Sequence, residues 1–160
     1  MRPPTAAVFD CNVFIQAMLS NRGPAYACYE QLEQGTVQVF CTESVLAELD
    51  RVRWYRSVQK HRHLTADRVN RFISRVRELV TLIPEVPRVI ELPRDPDDAK
   101  YLDIAIATNA MLVVTRDRDL LDLMEPNDPD GEKLKSMHPG LRLVVPEVFL
   151  DLIRKNPPQQ

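Results

Sequence analysis

The sequence has few of the residues and segments that would mark several common protein classes. It contains 4 glycines in 160 residues, which excludes a collagen-like or glycine-rich chain. Its 3 cysteines are odd in number and share no metal-binding spacing, so we expect buried thiols and no disulfide framework. No apolar run reaches the length of about 18 residues that a membrane span needs. No basic leader precedes an apolar segment, so we expect no secretory signal and a place in the reducing cytoplasm.

The composition that is present suits a folded domain. Apolar residues make up 44% of the chain, and we predict a single domain over residues 1–155 with a flexible C-terminal tail over residues 156–160. The net charge of −2 argues against a passive nucleic-acid coat. Residues 51–77, however, contain nine lysines and arginines and one acidic residue. An anionic ligand near this face is therefore compatible with the sequence.

Strand and helix signals alternate along the chain. Short β-prone runs occupy residues 5–9, 37–40, 80–83, 88–92, 111–114 and 141–145. Helical periodicity lies between most of these runs, whereas residues 125–140 are polar, contain three prolines and predict a long surface loop. The alternation predicts an α/β fold, a three-layer α/β/α sandwich with a mainly parallel central sheet of about five strands. In such sheets ligands bind outside the carboxyl ends of the strands.

Acidic residues fall where that ligand-binding edge is expected. Asp10 ends the first strand run, Asp117 follows the apolar run at residues 111–114, and Asp97 and Asp98 lie where a loop enters a helix. Each of them alone is commonly a helix cap or a turn residue. Several carboxylates at one point repel one another unless a cation lies among them, and Mg²⁺ prefers oxygen ligands of this kind. Their co-location therefore predicts a divalent-cation site.

Four segments resemble, in this order, the PIN-domain family of nucleases. The segments are VFDCNVFIQAML, TESVLAEL, RDPDDAKYLDIAIA and LVVTRDRDLL. The resemblance extends from Ala7 to about Ile153, and it is greatest to PIN proteins that are the toxin components of bacterial type II toxin–antitoxin pairs. It implies a PIN-like fold and an endoribonuclease that depends on Mg²⁺ or Mn²⁺.

The resemblance also implies a role for individual residues. The implied catalytic and metal-binding residues are Asp10, Glu48, Asp98 and Asp117, with Asp119 as a further metal ligand. The implied supporting residues are Asn12, Thr115 and Asp97. Asp97 and Asp103 compete with Asp98 for the third acidic position, and the spacing to the following helix favours Asp98. Cys11 stands where the family often has a hydroxyl residue, and its thiol is a weaker hydrogen-bond partner.

The expected chemistry needs no nucleophilic side chain. A metal-activated water would attack the phosphorus of RNA in line, and the sequence has no Gly-x-Ser-x-Gly motif. Within the basic stretch, a solvated helix surface explains most of the charges, but Arg53, Arg56 and Arg62 are weak candidates for RNA binding, with Trp54 or Tyr55 stacking on a base. An antitoxin protein is a possible partner for the same region, and a homodimer is expected from the resemblance.

Three other functions are compatible with parts of the pattern. A phosphatase that works through an aspartyl phosphate would use Asp10 as nucleophile, but it needs a second aspartate where this chain has Asn12. A receiver-like phosphoacceptor needs paired acids near the end of the first strand, and none precedes Asp10. A non-catalytic PIN scaffold would bind RNA or a protein partner without cutting, although all four acids of the site are retained.

Overall fold

The structure, a computed structural model, describes residues 3–155. The strands are β1 (Thr5–Phe9), β2 (Val37–Cys41), β3 (Thr81–Leu82), β4 (Leu112–Val114) and β5 (Arg142–Val144). They form one sheet in the order β3-β2-β1-β4-β5, and every neighbouring pair is parallel. The predicted parallel sheet of about five strands is therefore confirmed.

Helices connect the strands. In chain order they are α1 (Cys11–Leu19), α2 (Pro24–Glu33), α3 (Glu43–Asp50), α4 (Arg56–Gln59), α5 (Ala66–Leu79), α6 (Ala99–Thr108), α7 (Arg118–Leu121), α8 (Pro129–Met137) and α9 (Pro146–Lys155). Short 3-10 helices follow α3 at Arg51–Trp54 and α7 at Asp122–Met124. Within residues 3–155, the helices are all too short or too polar to cross a membrane.

The core surrounds the central strand β1. Ala7, Val8 and Phe9 are almost inaccessible to solvent, as expected for a parallel strand that is covered on both faces. Helix α6 packs against β1, β2 and β4, whereas α2 and α9 pack against each other and against β2 and β4 respectively. These contacts form the three-layer α/β/α sandwich that the alternation of the sequence predicts.

The sheet order brings two distant segments together at one edge. Phe9 at the end of β1 pairs with Val114 at the end of β4, and the backbone N–H of Asp10 donates to the carbonyl of Val114 at 2.9 Å. Asp10 and Thr115, the next residues along each strand, therefore leave the sheet side by side. This is the carboxyl edge of the sheet, where α/β folds bind ligands.

The predicted extended piece at residues 88–92 is not a strand. Its backbone is held by a side chain, since Asp103 Oδ1 accepts the N–H groups of Val89 at 2.9 Å and Ile90 at 3.0 Å. Pro84 and Pro87 precede this segment and have no N–H to give to a ladder. The β-prone residues thus belong to a loop that is bound to α6.

The predicted surface loop at residues 125–140 is also wrong in its middle part, which forms α8. Asp128 caps this helix by accepting the Gly131 N–H at 2.8 Å, and Pro129 occupies the first turn, where its missing N–H costs nothing. Leu134 is buried against the core. The Asp128 cap and the burial of Leu134 therefore stabilise a helix that the polar composition does not indicate.

Two further expectations concern the cysteines and the chain ends. Cys11, Cys28 and Cys41 are all buried free thiols, as predicted. The proposed tail at residues 156–160 lies outside the described residues, and the extent of the domain over residues 1–155 stays a prediction.

Candidate metal centre

Asp10 is the buried centre of the carboxyl edge. It is 3% exposed, and both of its carboxylate oxygens accept hydrogen bonds. Oδ1 accepts the backbone N–H of Asn12 at 3.0 Å, and Oδ2 accepts the hydroxyl of Thr115 at 2.8 Å. As the cap of α1, Asp10 has its carboxylate fixed by the start of that helix and by the end of β4.

Thr115 connects Asp10 with a second aspartate. Its hydroxyl donates to Asp10, and the same oxygen accepts the N–H of Asp117 at 3.0 Å. Asp117 then caps α7, with Oδ1 accepting the N–H of Asp119 at 2.8 Å. The sequence Thr-Arg-Asp-Arg-Asp thus folds into a tight turn because Thr115 and Asp117 each accept the backbone N–H two residues further on.

A group of three carboxylates lies next to this turn. The group consists of Asp95, Asp117 and Asp119, whose ligating oxygens all lie within 4.8 Å of one another. Among residues 3–155, it is the one set of three or more potential metal ligands that are this close together. Asp95 also accepts the N–H of Asp98 at 3.3 Å, which folds the loop before α6 toward the turn. The loop before α6 and the turn after β4 therefore supply acids to one place.

Electrostatic strain is concentrated on Asp98. Burial, the negative charges of Asp10, Asp95 and Asp117, and a hydrogen bond with Asp117 raise the pKa of Asp98 to about 8. Burial also raises the pKa of Asp10, against the lowering effect of the hydrogen bonds from Asn12 and Thr115. A carboxyl group that resists ionisation at neutral pH because of burial and anionic neighbours indicates a place where a cation would be stabilised.

Glu48 approaches the site from α3 and is paired with a lysine. Its negative charge contributes to the raised pKa of Asp10, so the two carboxylates are close enough to interact. Glu48 Oε2 forms an ion pair with Lys100 Nζ in the first turn of α6. The predicted helical acid therefore lies at the site, and an ammonium group neutralises it.

Tyr101 lies beneath the site and connects α6 with α1. It is fully buried, and its hydroxyl oxygen accepts the backbone N–H of Cys11 at 3.1 Å, which fixes α6 against the start of α1. Burial raises the pKa of both the Tyr101 phenol and the Cys11 thiol. Both groups therefore stay neutral and add no further negative charge beside Asp10.

The structure brings together most, but not all, of the sequence-predicted residues. Asp10, Asp98, Asp117 and their neighbour Asp119 share one region, with Glu48 beside them. Asp97 is exposed. Asn12 is exposed as well, and it reaches Asp10 through its backbone N–H rather than its side chain. Asp103, which competes for the third acidic position in the sequence, instead binds the loop backbone at Val89 and Ile90.

Sequence reasoning missed three residues that the structure places here, Asp95, Lys100 and Tyr101. Asp95 and Asp98 are both in the Asp-Pro-Asp-Asp run, and that run was the available signal. Which of its acids point inward depends on the path of the loop, which local pattern does not determine. Lys100 and Tyr101 occupy neighbouring positions of α6 and were masked by its apolar periodicity.

The basic stretch presents aromatic and cationic side chains to solvent. Trp54 is 73% exposed and Tyr55 is 42% exposed. Arg56 and Arg62 are exposed, whereas Arg53 donates to the Asp50 carboxylate at 2.6 Å. Of the three predicted RNA-binding arginines, Arg53 is therefore already engaged by a neighbouring acid.

Comparison with known proteins gives one sequence family and several similar structures. The family described as PIN domain matches residues 6–119. The structure is similar to that of VapBC2 from Rickettsia felis bound to a DNA fragment from its promoter, at 17% identity and a TM-score of 0.52, over 88% of this chain and 98% of that one. It is also similar to PAE2754 from Pyrobaculum aerophilum, at 16% identity and a TM-score of 0.54, over 96% of this chain and 91% of that one. None of the curated proteins gives a significant match.

Proposed function

This chain belongs to the PIN-domain family, and we propose that it is a Mg²⁺- or Mn²⁺-dependent endoribonuclease that hydrolyses RNA phosphodiester bonds. The observation that carries the proposal is the convergence of Asp10, Asp98 and Asp117, in which burial and neighbouring anions raise the pKa of Asp98 to about 8. Such a cluster is costly unless a cation neutralises it. The membership of a nuclease family supplies the reaction class.

The donor set fits a hard divalent cation. The side chains that meet at the site offer carboxylate oxygens, which Mg²⁺ and Mn²⁺ prefer over softer ligands. We assign the metal to Asp10, Glu48, Asp98 and Asp117, with Asp119 as a further ligand. Asp95 joins this set on geometric grounds, since its carboxylate lies within 4.8 Å of those of Asp117 and Asp119.

The chemistry divides between the ion and the protein. When bound, the ion supplies Lewis-acid activation of a water for in-line attack on phosphorus and offsets the charge that develops on the phosphoryl oxygens. The protein fixes the ligands: Thr115 and the start of α1 hold both oxygens of Asp10, and Thr115 also sets the turn that carries Asp117. Hydrogen bonds of this kind orient metal ligands and limit their motion.

We assign RNA binding to the exposed basic stretch that follows α3. Arg56 and Arg62 offer charge to phosphates, Arg53 joins them if it leaves Asp50, and Trp54 offers a large exposed face on which a base can stack. Neutralising the three arginines should flatten the salt dependence of RNA binding, because a protein that contacts fewer phosphates releases fewer counterions when it binds. An unchanged slope would place the RNA elsewhere.

We further propose that the protein is the toxin component of a toxin–antitoxin pair, acting in the cytoplasm as a homodimer with an antitoxin protein as partner. The sequence resemblance to such toxins and the structural similarity to VapBC2 support this role. Expression of the wild-type chain alone should arrest bacterial growth, whereas Asp10→Asn should not. Growth arrest by both chains would show that the arrest does not depend on RNA cleavage at this site.

The test of the nuclease is an RNA cleavage assay. Purified protein is incubated with labelled RNA in Mn²⁺, in Mg²⁺ and in EDTA, alongside Asp10→Asn and Asp98→Asn, with Asp97→Asn as the matched control on an exposed carboxylate. We expect cleavage in metal that both site variants lose and the control retains. Metal-dependent cleavage that persists in Asp10→Asn would exclude the assigned site. If no condition gives cleavage, a Mn²⁺ titration follows, and absence of metal binding would favour the non-catalytic PIN scaffold.

A further inference from the structure

Lys100 reaches the carboxylate site from the first turn of α6. Its Nζ pairs with Glu48 Oε2 in the last turn of α3. The two side chains are 26% and 29% exposed, so protein shields much of the pair from water. Nζ also lies 5.4 Å from the centroid of the Tyr101 ring. Lys100 is therefore part of the site and not one of the solvated surface lysines.

The ion pair sets Glu48 apart from the other acids. The three carboxylates that lie within 4.8 Å of one another are those of Asp95, Asp117 and Asp119, whereas the partner of Glu48 is Lys100. A carboxylate that already binds an ammonium group offers less charge to a metal ion. Any divalent cation that takes Glu48 as a ligand must first compete with Lys100.

We propose that Lys100 is an internal cation that holds Glu48 in the metal-free protein and that, once a divalent ion takes over Glu48, binds the phosphate backbone of the RNA. The inference rests on the proposed function and names a substrate-binding residue for it. The lysine side chain has a flexible stem of four carbons, so the ammonium group can move by several ångströms without a shift of α6. Its three N–H donors suit phosphate oxygens.

This exchange predicts opposite effects on metal and on RNA. Without the ammonium, Glu48 is free for the metal and one repelling positive charge is gone. Lys100→Met should therefore bind Mn²⁺ about five- to twentyfold more tightly than wild type. The same variant lacks the phosphate contact, so its KM for RNA should rise about three- to tenfold at saturating Mn²⁺. A lysine that merely stabilised the fold would not separate the two quantities in this way.

The experiment titrates Mn²⁺ into full-length protein by isothermal calorimetry and then measures RNA cleavage kinetics. The variants are Lys100→Met, Lys100→Gln as a second neutral side chain, and Lys100→Arg, which keeps the cation. Arg118→Met is the matched control, since Arg118 is exposed and adjacent to Asp117 in sequence. Thermal unfolding and circular dichroism of each variant verify that it is folded.

Tighter Mn²⁺ binding with a higher KM in both neutral variants, and near-wild-type values in Lys100→Arg and Arg118→Met, would support the proposal. Unchanged or weaker Mn²⁺ binding in the folded neutral variants would overturn it and leave the nuclease proposal intact, because wild type still binds the metal. The same gain in Mn²⁺ affinity in Arg118→Met as in Lys100→Met would also overturn it, since the loss of any nearby positive charge would then have that effect. Wild type that binds no Mn²⁺ would instead refute the proposed function itself.

Discussion

The carboxylate cluster should make the metal-free protein less stable, and Asp98→Asn should relieve that cost. The pKa of Asp98 is about 8 in the folded protein, whereas an aspartate in an unfolded chain has a pKa of about 4. Between these values the folded state retains a proton that the unfolded state has released. The free energy of unfolding therefore falls as the pH rises through this window, and asparagine, which does not ionise, removes the dependence.

The magnitude follows from the same difference. Without screening by solvent, a carboxyl group with this pKa would lower the free energy of unfolding by about 4 kcal/mol at pH 7. Asp98 is only half-buried, so water reduces both the desolvation and the repulsion, and we expect a cost of about 1–2 kcal/mol. For a chain of this size, that gain corresponds to a rise in Tm of about 3–6 °C.

Thermal unfolding in EDTA at pH 4 and pH 7 measures the effect. Asp98→Asn should melt above wild type at pH 7 and near it at pH 4, where the carboxyl group is protonated in the folded protein. Asp97→Asn removes the same charge from an exposed neighbour and should change Tm by less than about 1 °C. Excess Mg²⁺ should narrow or reverse the difference in Tm between Asp98→Asn and wild type, because the metal stabilises the protein that binds it more tightly, which is wild type. An Asp98→Asn protein no more stable than wild type at pH 7 would refute the electrostatic reasoning.

Three other substitutions separate the roles of individual residues. Thr115→Val removes the hydroxyl that orients Asp10 and should weaken Mn²⁺ binding about 10- to 100-fold by calorimetry; binding within twofold of wild type would contradict the orienting role. Asp103→Ala leaves two loop N–H groups without their acceptor and should lower the free energy of unfolding by about 2–4 kcal/mol in urea while Mn²⁺ affinity is kept; lost affinity in the folded variant would make it part of the site. Gly131→Ala would place a Cβ in steric conflict with the Leu123 carbonyl oxygen and should lower the free energy of unfolding in urea by about 1–3 kcal/mol; wild-type stability would show that α8 can shift.

The layout of the fold was predictable because hydrophobic period and strand–helix alternation are local properties of the chain. Two errors came from interactions that local pattern does not contain. Residues 88–92 have β-prone side chains, but their N–H groups bind Asp103 on α6 instead of a neighbouring strand. The helix α8 has a polar composition, and it is stabilised by the Asp128 cap and by burial of Leu134.

The site was predictable as a region more readily than as a set of residues. Asp10 and Asp117 follow strands, so the topology of a parallel sheet determines where they lie. The order of the acids before α6 depends on the path of a loop, which turns Asp95 and Asp98 toward the site and leaves Asp97 in solvent. The ion pair of Lys100 joins residues 52 positions apart, and no pattern within α3 or α6 indicates that pairing.

The most direct test of the metal centre is anomalous diffraction from crystals of the protein soaked in Mn²⁺. We expect a strong anomalous peak at the carboxyl edge of the sheet, about 2.0–2.3 Å from carboxylate oxygens of Asp10, Asp98 and Asp117. We also expect this peak to be lost in Asp10→Asn crystals and retained in Asp97→Asn crystals. A peak bound elsewhere, or none at this edge with Mn²⁺ in excess, would contradict the assignment of these acids as a metal site.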